Sequence, residues 1–241
     1  MQSYIGCYKQ LILGFLDRGY ESIEFSALSS PNNQLIIRHD IDFDCALAYQ
    51  MSLIEDELGV KSTYFFMLCN DFYNLLSSEN IDYIKRIQAS GHKVSIHFDP
   101  TIYDDFMAGF EREADIFGRI FNEKIDIISL HRPSEFFLNY DLPINGVEHT
   151  YQDRYFKEIK YISDSQGNFR FGHPHDNLEF KQNNTIHLLV HPIWWTSEGN
   201  SNIDILKKFI EMRQQLTDQN IAKNCIPYQK YLAETDHQIS S

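Results

Sequence analysis

Apolar and polar positions alternate along the chain in a repeating series of strand and helix patterns. Short apolar runs predict strands at residues 34–39, 61–68, 92–98, 125–130, 159–163 and 185–190. Apolar residues at helical spacing predict helices at residues 4–16, 45–58, 81–90, 106–121 and 203–216. Strands that alternate with helices in this way indicate an α/β fold with a mostly parallel sheet.

The pattern predicts one domain over residues 1–241. Residues 1–33 are expected to form an N-terminal helical extension. The weakly patterned stretch from about residue 229 is expected to be a mobile tail. Residues 133–158 lack a clear period, which predicts an inserted loop over a site. Asp42 or Asp44 can cap the helix that starts at residue 45, with Asp44 the favoured cap, and Gly59 can end it.

Ionisable side chains stand where five of the predicted strands end. They are Asp40 and Asp42, then His97 and Asp99, His131 and Arg132, Asp164, and His191. Because the carboxyl ends of parallel strands share one face of a barrel or sheet, these side chains are expected to meet in one pocket.

The expected pocket has the composition of a catalytic metal site. Asp40 and Asp42 are two residues apart and point to the same side of an extended chain, where two carboxylates repel unless a cation or proton intervenes. His97 and His131 add imidazole ligands, and three protein ligands with an open position fit a divalent metal. A second carboxylate could accept a proton from water, and a histidine on the far side could protonate a leaving group.

Two neighbouring features have more than one interpretation. Arg132 is either a surface cation or a buried partner that keeps Asp40 ionised. Trp194 and Trp195 either fill the core or offer an aromatic face to a sugar ring beside His191.

Composition narrows the range of functions. The formal net charge of -13 and the lack of a basic run argue against binding to nucleic acid. No apolar run is long enough for a transmembrane helix, and no signal peptide is recognised, so a cytoplasmic protein is expected. The four cysteines are scattered, which predicts free thiols.

From about residue 35 to 195, the motifs resemble in order those of the polysaccharide deacetylases (carbohydrate esterase family four, the NodB-homology domain). IIRHDID resembles the first motif, GHKVSIHFD the second, LHRPSEFF the third, YISDSQGNF the fourth and LLVHP the fifth. The motifs H-D-I-D and L-x-x-H-P-x-W-W are most similar to those of a divergent WbmS-like branch, which is associated with surface-polysaccharide synthesis.

The resemblance implies a distorted (β/α)7-type barrel with mostly parallel strands, and metal-dependent removal of an N-acetyl group from an amino sugar. It implies that Asp40 is the general base, that Asp42 and His97 are metal ligands, and that Arg132 orients Asp40. His191 would be the general acid, with Asp164 tuning it. Zinc is the first expectation for the metal, with manganese, iron, cobalt or nickel as alternatives.

The second motif departs from the family pattern, because Thr101 stands where the family has its second histidine ligand. His131 is expected to replace that ligand, with Asp99 as the alternative; Asp99, Trp194 and Trp195 are also candidate substrate contacts.

The sequence therefore predicts an N-deacetylase that acts on an amino-sugar-containing small molecule or glycan. The main alternative is a non-catalytic carbohydrate-binding protein with a degenerate metal site. A metal-dependent phosphoesterase fits less well, because no basic cluster accompanies Arg132.

Overall fold

The structure is a computed structural model that describes residues 3–29 and 32–239. The chain forms two compact units, Met1–Glu198 and Gly199–Ser241, where the sequence predicted one domain. The first unit contains all eight strands of the described residues and eight helices. The second contains two helices.

The first unit is built on a curled, mostly parallel sheet surrounded by helices, as expected for a distorted (β/α)7-type barrel. The sheet order is β6-β5-β4-β3-β2-β8-β7, with β1 paired to the start of β2, and every pairing between these strands is parallel. The strands are β1 (Glu21–Ile23), β2 (Gln34–Ile41), β3 (Thr63–Phe66), β4 (Lys93–Phe98), β5 (Ile127–Leu130), β6 (Glu148–His149), β7 (Lys160–Ser163) and β8 (Ile186–Leu189). The six predicted strands are confirmed, with ends that differ by up to two residues.

The helices of the first unit follow the strands that they cover. They are α1 (Tyr8–Leu16), α2 (Cys45–Leu58), α3 (Ser78–Ala89), α4 (Phe106–Phe121), α5 (Glu135–Leu138), α6 (Asp153–Phe156), α7 (Leu178–Lys181) and α8 (Pro192–Thr196). Helix α2 begins at the Asp44 cap, whose side chain accepts a hydrogen bond from the Ala46 amide at 2.7 Å. It ends at Gly59, whose φ of 69° is available to glycine at little cost. The predicted caps of this helix are confirmed.

Residues 133–158 are not a structureless loop, which corrects the sequence-based expectation. They contain α5, α6 and the two-residue strand β6, which pairs with β5 through Ile127 and Ile128. Two-residue strands and four-residue helices are too short for their period to be recognised in a sequence.

The segment before β2 is integrated into the first unit through a buried polar network around Glu55. The Tyr8 hydroxyl of α1 donates to Glu55 at 2.5 Å, and Ser62 and Tyr64 donate to the same carboxylate. His39, which faces away from the strand-end side chains, also contacts Glu55 at 2.8 Å. These bonds join α1, α2, β2 and β3 within the first unit.

The second unit consists of α9 (Asn202–Asn224) and α10 (Ile226–Ile239). Ser201 caps α9 by accepting a hydrogen bond from the Asp204 amide at 3.1 Å. Helix α10 covers most of the stretch expected to be a mobile tail, and residues 240 and 241 lie outside the described residues. Among the described residues, no helix is both long and apolar enough to cross a bilayer.

Candidate active site

The carboxyl ends of β2, β4, β5, β7 and β8 bring six of the predicted residues together. They are Asp40, Asp42, His97, His131, Asp164 and His191. His97 Nε2 lies 3.2 Å from Asp42 Oδ1, and His97 Nδ1 lies 3.8 Å from Asp40 Oδ2. His191 Nε2 lies 3.8 Å from Asp42, and it contacts Asp164 through Nδ1. The convergence expected from the strand order is therefore present in the fold.

Asp42, His97 and His131 form a compact set of three ligand atoms within 4.8 Å of one another, and they could hold a metal ion. Asp42 Oδ1 lies 3.2 Å from His97 Nε2 and 3.5 Å from His131 Nδ1, and the two nitrogens are 3.1 Å apart. Ligands about 2.05 Å from a tetrahedral zinc ion are themselves about 3.4 Å apart, so the three distances fit such an ion.

The hydrogen bonding of these residues also fits a metal. Asp42 Oδ1 is buried, and no described residue gives it a hydrogen bond of good geometry. A buried carboxylate oxygen without a partner is costly unless a cation meets it. Burial raises the pKa of Asp42, but His131 and His97 lower it well below the ordinary value, so the carboxylate is available as a ligand.

Ser129 orients His97 for this role. The strand register pairs His97 of β4 with Ser129 of β5, and the Ser129 hydroxyl lies 2.5 Å from His97 Nδ1. If Nδ1 carries the proton and donates it to the hydroxyl oxygen, Nε2 keeps a lone pair for a metal. No sequence pattern marks Ser129, because only the register of β4 against β5 makes it a neighbour of His97.

Asp99 and Thr101 make a local turn at the position where the deacetylase motif that this segment resembles has its second histidine. Asp99 accepts hydrogen bonds from the Thr101 amide at 2.9 Å and the Thr101 hydroxyl at 2.6 Å. The Asp99 carboxylate caps the short helical turn Pro100–Ile102, and the third member of the ligand set is His131. A substrate contact for Asp99 stays a prediction.

Asp40 is held by Arg38, which corrects the expectation that Arg132 orients it. Arg38 Nε and Nη2 donate to the two carboxylate oxygens of Asp40 at 2.9 and 2.7 Å, and both side chains are buried. Arg132 is exposed, with a φ of 45°. Burial raises the pKa of Asp40, but the charge of Arg38 outweighs this and lowers it to about 2.

The position of Arg38 in the sequence indicates its role. A positive residue within the apolar run of β2, two positions before Asp40, points to the same side of the strand. A buried arginine does lie beside Asp40, as expected. It is Arg38 of β2 and not Arg132, which follows β5.

Asp164 holds the His191 side chain in place and keeps it protonated. Its Oδ1 lies 2.6 Å from His191 Nδ1, and its two oxygens also accept the His191 backbone amide at 3.0 and 3.1 Å. Burial lowers the pKa of His191, but the charge and hydrogen bond of Asp164 outweigh it and raise the pKa to about 9. The imidazole thus keeps its proton through the neutral range.

Trp194 and Trp195 are buried, with 5% and 2% of their surfaces exposed, so neither offers a free face to a sugar. Trp195 Nε1 donates to Asp164 Oδ2 at 2.7 Å, which fixes the carboxylate opposite His191. The Trp194 ring packs edge-on against Phe43 at 6.3 Å between ring centres. The burial and these contacts favour the core-packing interpretation, and a substrate contact for either tryptophan stays a prediction.

Replacing Asp164 with asparagine is expected to lower the pKa of His191. Without the aspartate charge the imidazole loses its proton at lower pH. The pKa of His191, followed by NMR of the imidazole through a pH titration, should fall by at least one unit from the value of about 9. An unchanged pKa would show that Asp164 does not hold the proton on His191.

No protein-family model and no curated protein matches the chain. Several solved structures similar to the chain are family 4 carbohydrate esterases and related deacetylases. They include a chitin deacetylase from the fungal pathogen Colletotrichum lindemuthianum, with 17% identity, a TM-score of 0.49, and coverage of 75% of this chain and 81% of that one. A peptidoglycan deacetylase from Bacillus subtilis has 13% identity, a TM-score of 0.44, and coverage of 81% and 97%. A family 4 pseudoenzyme from Bacillus anthracis has 14% identity, a TM-score of 0.38, and coverage of 78% and 63%. All three TM-scores are below 0.5, so these similarities do not assign an activity to the chain.

Proposed function

We propose that the protein is a metal-dependent hydrolase that removes an N-acetyl or similar acyl group from an amino sugar. The observation that carries the proposal is the contact of two different proton-transfer groups with one potential ligand set. The ionised carboxylate of Asp40 and the protonated imidazole of His191 each lie 3.8 Å from a member of the Asp42, His97 and His131 set.

A divalent ion, with zinc the first candidate, would supply Lewis acidity to polarise the acyl carbonyl and to lower the pKa of a water molecule when bound to these three residues. Asp40 accepts the proton of the attacking water. Its pair with Arg38 keeps it ionised and fixes its orientation, so that it is ready for this step at neutral pH.

His191 completes the reaction from the other side. As the C–N bond breaks, Nε2 donates its proton to the departing nitrogen, and the products are a carboxylic acid and a free amine. Asp164 stabilises the protonated imidazole before transfer and holds the ring by Nδ1. The base and the acid therefore have opposite protonation states at the same pH because their neighbours differ, Arg38 in one case and Asp164 in the other.

The substrate class in this proposal comes from the sequence motifs together with this arrangement. An amide bond needs both an activated water and a protonated leaving group, and the site has a group for each. We further propose a cytoplasmic role in surface-polysaccharide biosynthesis, in line with the sequence resemblance. The four unpaired cysteines agree with a reducing compartment.

The Asp40→Asn variant tests the catalytic role directly. It removes the proton acceptor but keeps the shape of the side chain, so kcat for acetate release should fall by about 10²–10⁴-fold. Metal content should stay at the wild-type level, because Asp40 is not in the ligand set. The matched control is Asp115→Asn, which alters an exposed aspartate in the middle of α4 and should leave kcat unchanged. Metal-loaded wild-type protein that releases no acyl group from a panel of acylated amino sugars would contradict the proposed function and favour the carbohydrate-binding alternative.

A further inference from the structure

His39 joins the two strands that carry the proposed base and the proposed acid. It immediately precedes Asp40 in β2, and its side chain is completely buried on the opposite side of the strand. Its ring reaches the residue that precedes His191, because His39 Nδ1 lies 3.0 Å from the Val190 carbonyl oxygen. One imidazole therefore links the residue before the base to the residue before the acid.

This contact lies where the pairing of β2 and β8 ends. The last paired residues are Arg38 and Leu189, and the Val190 amide then donates to the Arg38 carbonyl at 3.0 Å. One residue further along β2, the His39 side chain meets the Val190 carbonyl. Beyond the last pair, the two strand ends are therefore joined through an imidazole as well as through the backbone.

The acceptors around His39 require a ring that donates at both nitrogens. A carbonyl oxygen can only accept a hydrogen bond, and the second nitrogen, Nε2, lies 2.8 Å from Glu55 Oε1. Burial raises the pKa of Glu55, but the charge and hydrogen bond of His39 outweigh this and lower it to about 2. The ionised carboxylate also only accepts, so His39 and Glu55 form a buried ion pair.

Glu55 is held at a fixed position by neutral donors. It is completely buried on α2, and its carboxylate accepts hydrogen bonds from the hydroxyl groups of Tyr8, Ser62 and Tyr64. The Tyr64 ring also packs against the His39 ring, with 4.4 Å between ring centres. Because its counterion and its ring are both fixed, His39 has little freedom to rotate, and its contact with β8 is preorganised.

We infer that His39 is a positioning residue that sets the separation of Asp40 and His191. Glu55 supports it as its counterion. The effect on catalysis rests on the proposed function, in which a base and an acid act on one amide group from two strands. Such groups must be held within about 0.5 Å of the productive geometry. His39 does this from behind the site, where it is buried and does not touch the substrate.

Replacing His39 with phenylalanine tests the inference by keeping a flat ring and removing both donors. kcat for acetate release should fall about 10–100-fold, because a misplacement on the order of 1 Å has an effect of that size. KM and the metal content should stay at wild-type levels, because His39 is buried away from the substrate and is not in the ligand set. Steady-state kinetics and elemental analysis measure these quantities.

The matched control is His92→Phe, which alters a second buried histidine of the same network. His92 Nδ1 lies 3.6 Å from Glu55 Oε2 and accepts the Ser62 amide at 3.2 Å. These contacts are with α2 and the start of β3, and not with β8. His92→Phe should therefore lower the urea midpoint of unfolding but leave kcat unchanged. An equal loss of kcat in both variants would overturn the inference.

A double variant separates positioning from stability. His39→Phe leaves the charge of Glu55 without a counterion, so the urea midpoint should fall. His39→Phe combined with Glu55→Gln removes that charge and should recover much of the midpoint, but it should not recover kcat. Recovery of kcat together with the midpoint would overturn the inference, because His39 would then act through stability alone.

Crystal structures of the wild type, the double variant and His92→Phe distinguish failure of the positioning role from failure of the proposed function, because they need no turnover. The distance between Asp40 and His191 should change by at least about 0.5 Å in the double variant and stay at its wild-type value in His92→Phe. A changed distance in proteins that release no acyl group would support the positioning role and contradict the deacetylase proposal. Acetate release by the wild type, with an unchanged distance or an unchanged kcat in the double variant, would support the deacetylase and overturn the positioning role.

Discussion

Replacing His131 with alanine is expected to abolish stoichiometric metal binding while the protein remains folded. His131 Nδ1 lies 3.5 Å from Asp42 Oδ1 and 3.1 Å from His97 Nε2, and its removal leaves two protein ligands where a catalytic site needs three. The side chain is at the surface end of β5 and only partly buried, so the free energy of unfolding of the metal-free protein should change by less than about 1 kcal/mol. Elemental analysis after reconstitution and dialysis measures the metal, and urea unfolding measures the stability.

The Thr101 position supplies the matched control for this prediction. Thr101 stands where the deacetylase motif that this segment resembles has a histidine, but its hydroxyl is bonded to Asp99 in a local turn. Thr101→Ala should therefore keep one metal ion per chain. Retention of one ion by His131→Ala, together with loss of the ion in Asp99→Asn, would contradict the His131 assignment and transfer it to Asp99.

Replacing Arg38 with methionine is expected to destabilise the protein strongly. The arginine and Asp40 are both buried and share two hydrogen bonds, so the substitution leaves an uncompensated buried carboxylate. Breaking one partner of such a pair costs about 3–5 kcal/mol. The pKa of Asp40 should rise in the variant, because burial then acts without the opposing cation. Urea unfolding at neutral pH measures the loss in the free energy of unfolding.

Two comparisons make the Arg38 prediction specific. Arg132→Met, which removes an exposed arginine, should change the free energy of unfolding by no more than about 0.5 kcal/mol. The double variant Arg38→Met with Asp40→Asn should recover much of the lost stability, because the unpaired charge is gone. Equal losses in Arg38→Met and Arg132→Met, or no recovery in the double variant, would contradict the assignment of the pair.

The fold and the strand-end convergence were predictable because they depend on periodic patterns. Apolar runs fixed six of the strands, and a parallel sheet brings the residues after those strands to one face. That rule alone predicted the contact of Asp42 with His97, His131 and His191. It also offered His131 as the replacement for the ligand missing at Thr101.

The partners of the proposed catalytic groups could not be predicted in the same way. Arg38 faces Asp40 through the alternation of a single strand, whereas Arg132 follows a different strand, and the buried contacts decide which arginine holds the carboxylate. Trp195 contacts Asp164 only because the short helix α8 turns the indole back towards β7. Exposure was the other missing quantity, since the sequence does not show whether an aromatic residue that follows a strand is accessible or buried, as Trp194 is.

A titration of metal-free protein with zinc, read out as acetate release from an acetylated amino sugar, tests the central claim most directly. The account predicts no release without metal, a rise with added zinc, and saturation at one ion per chain bound through Asp42, His97 and His131. Acetate release that persists in metal-free protein, or one bound ion per chain without any release, would contradict it.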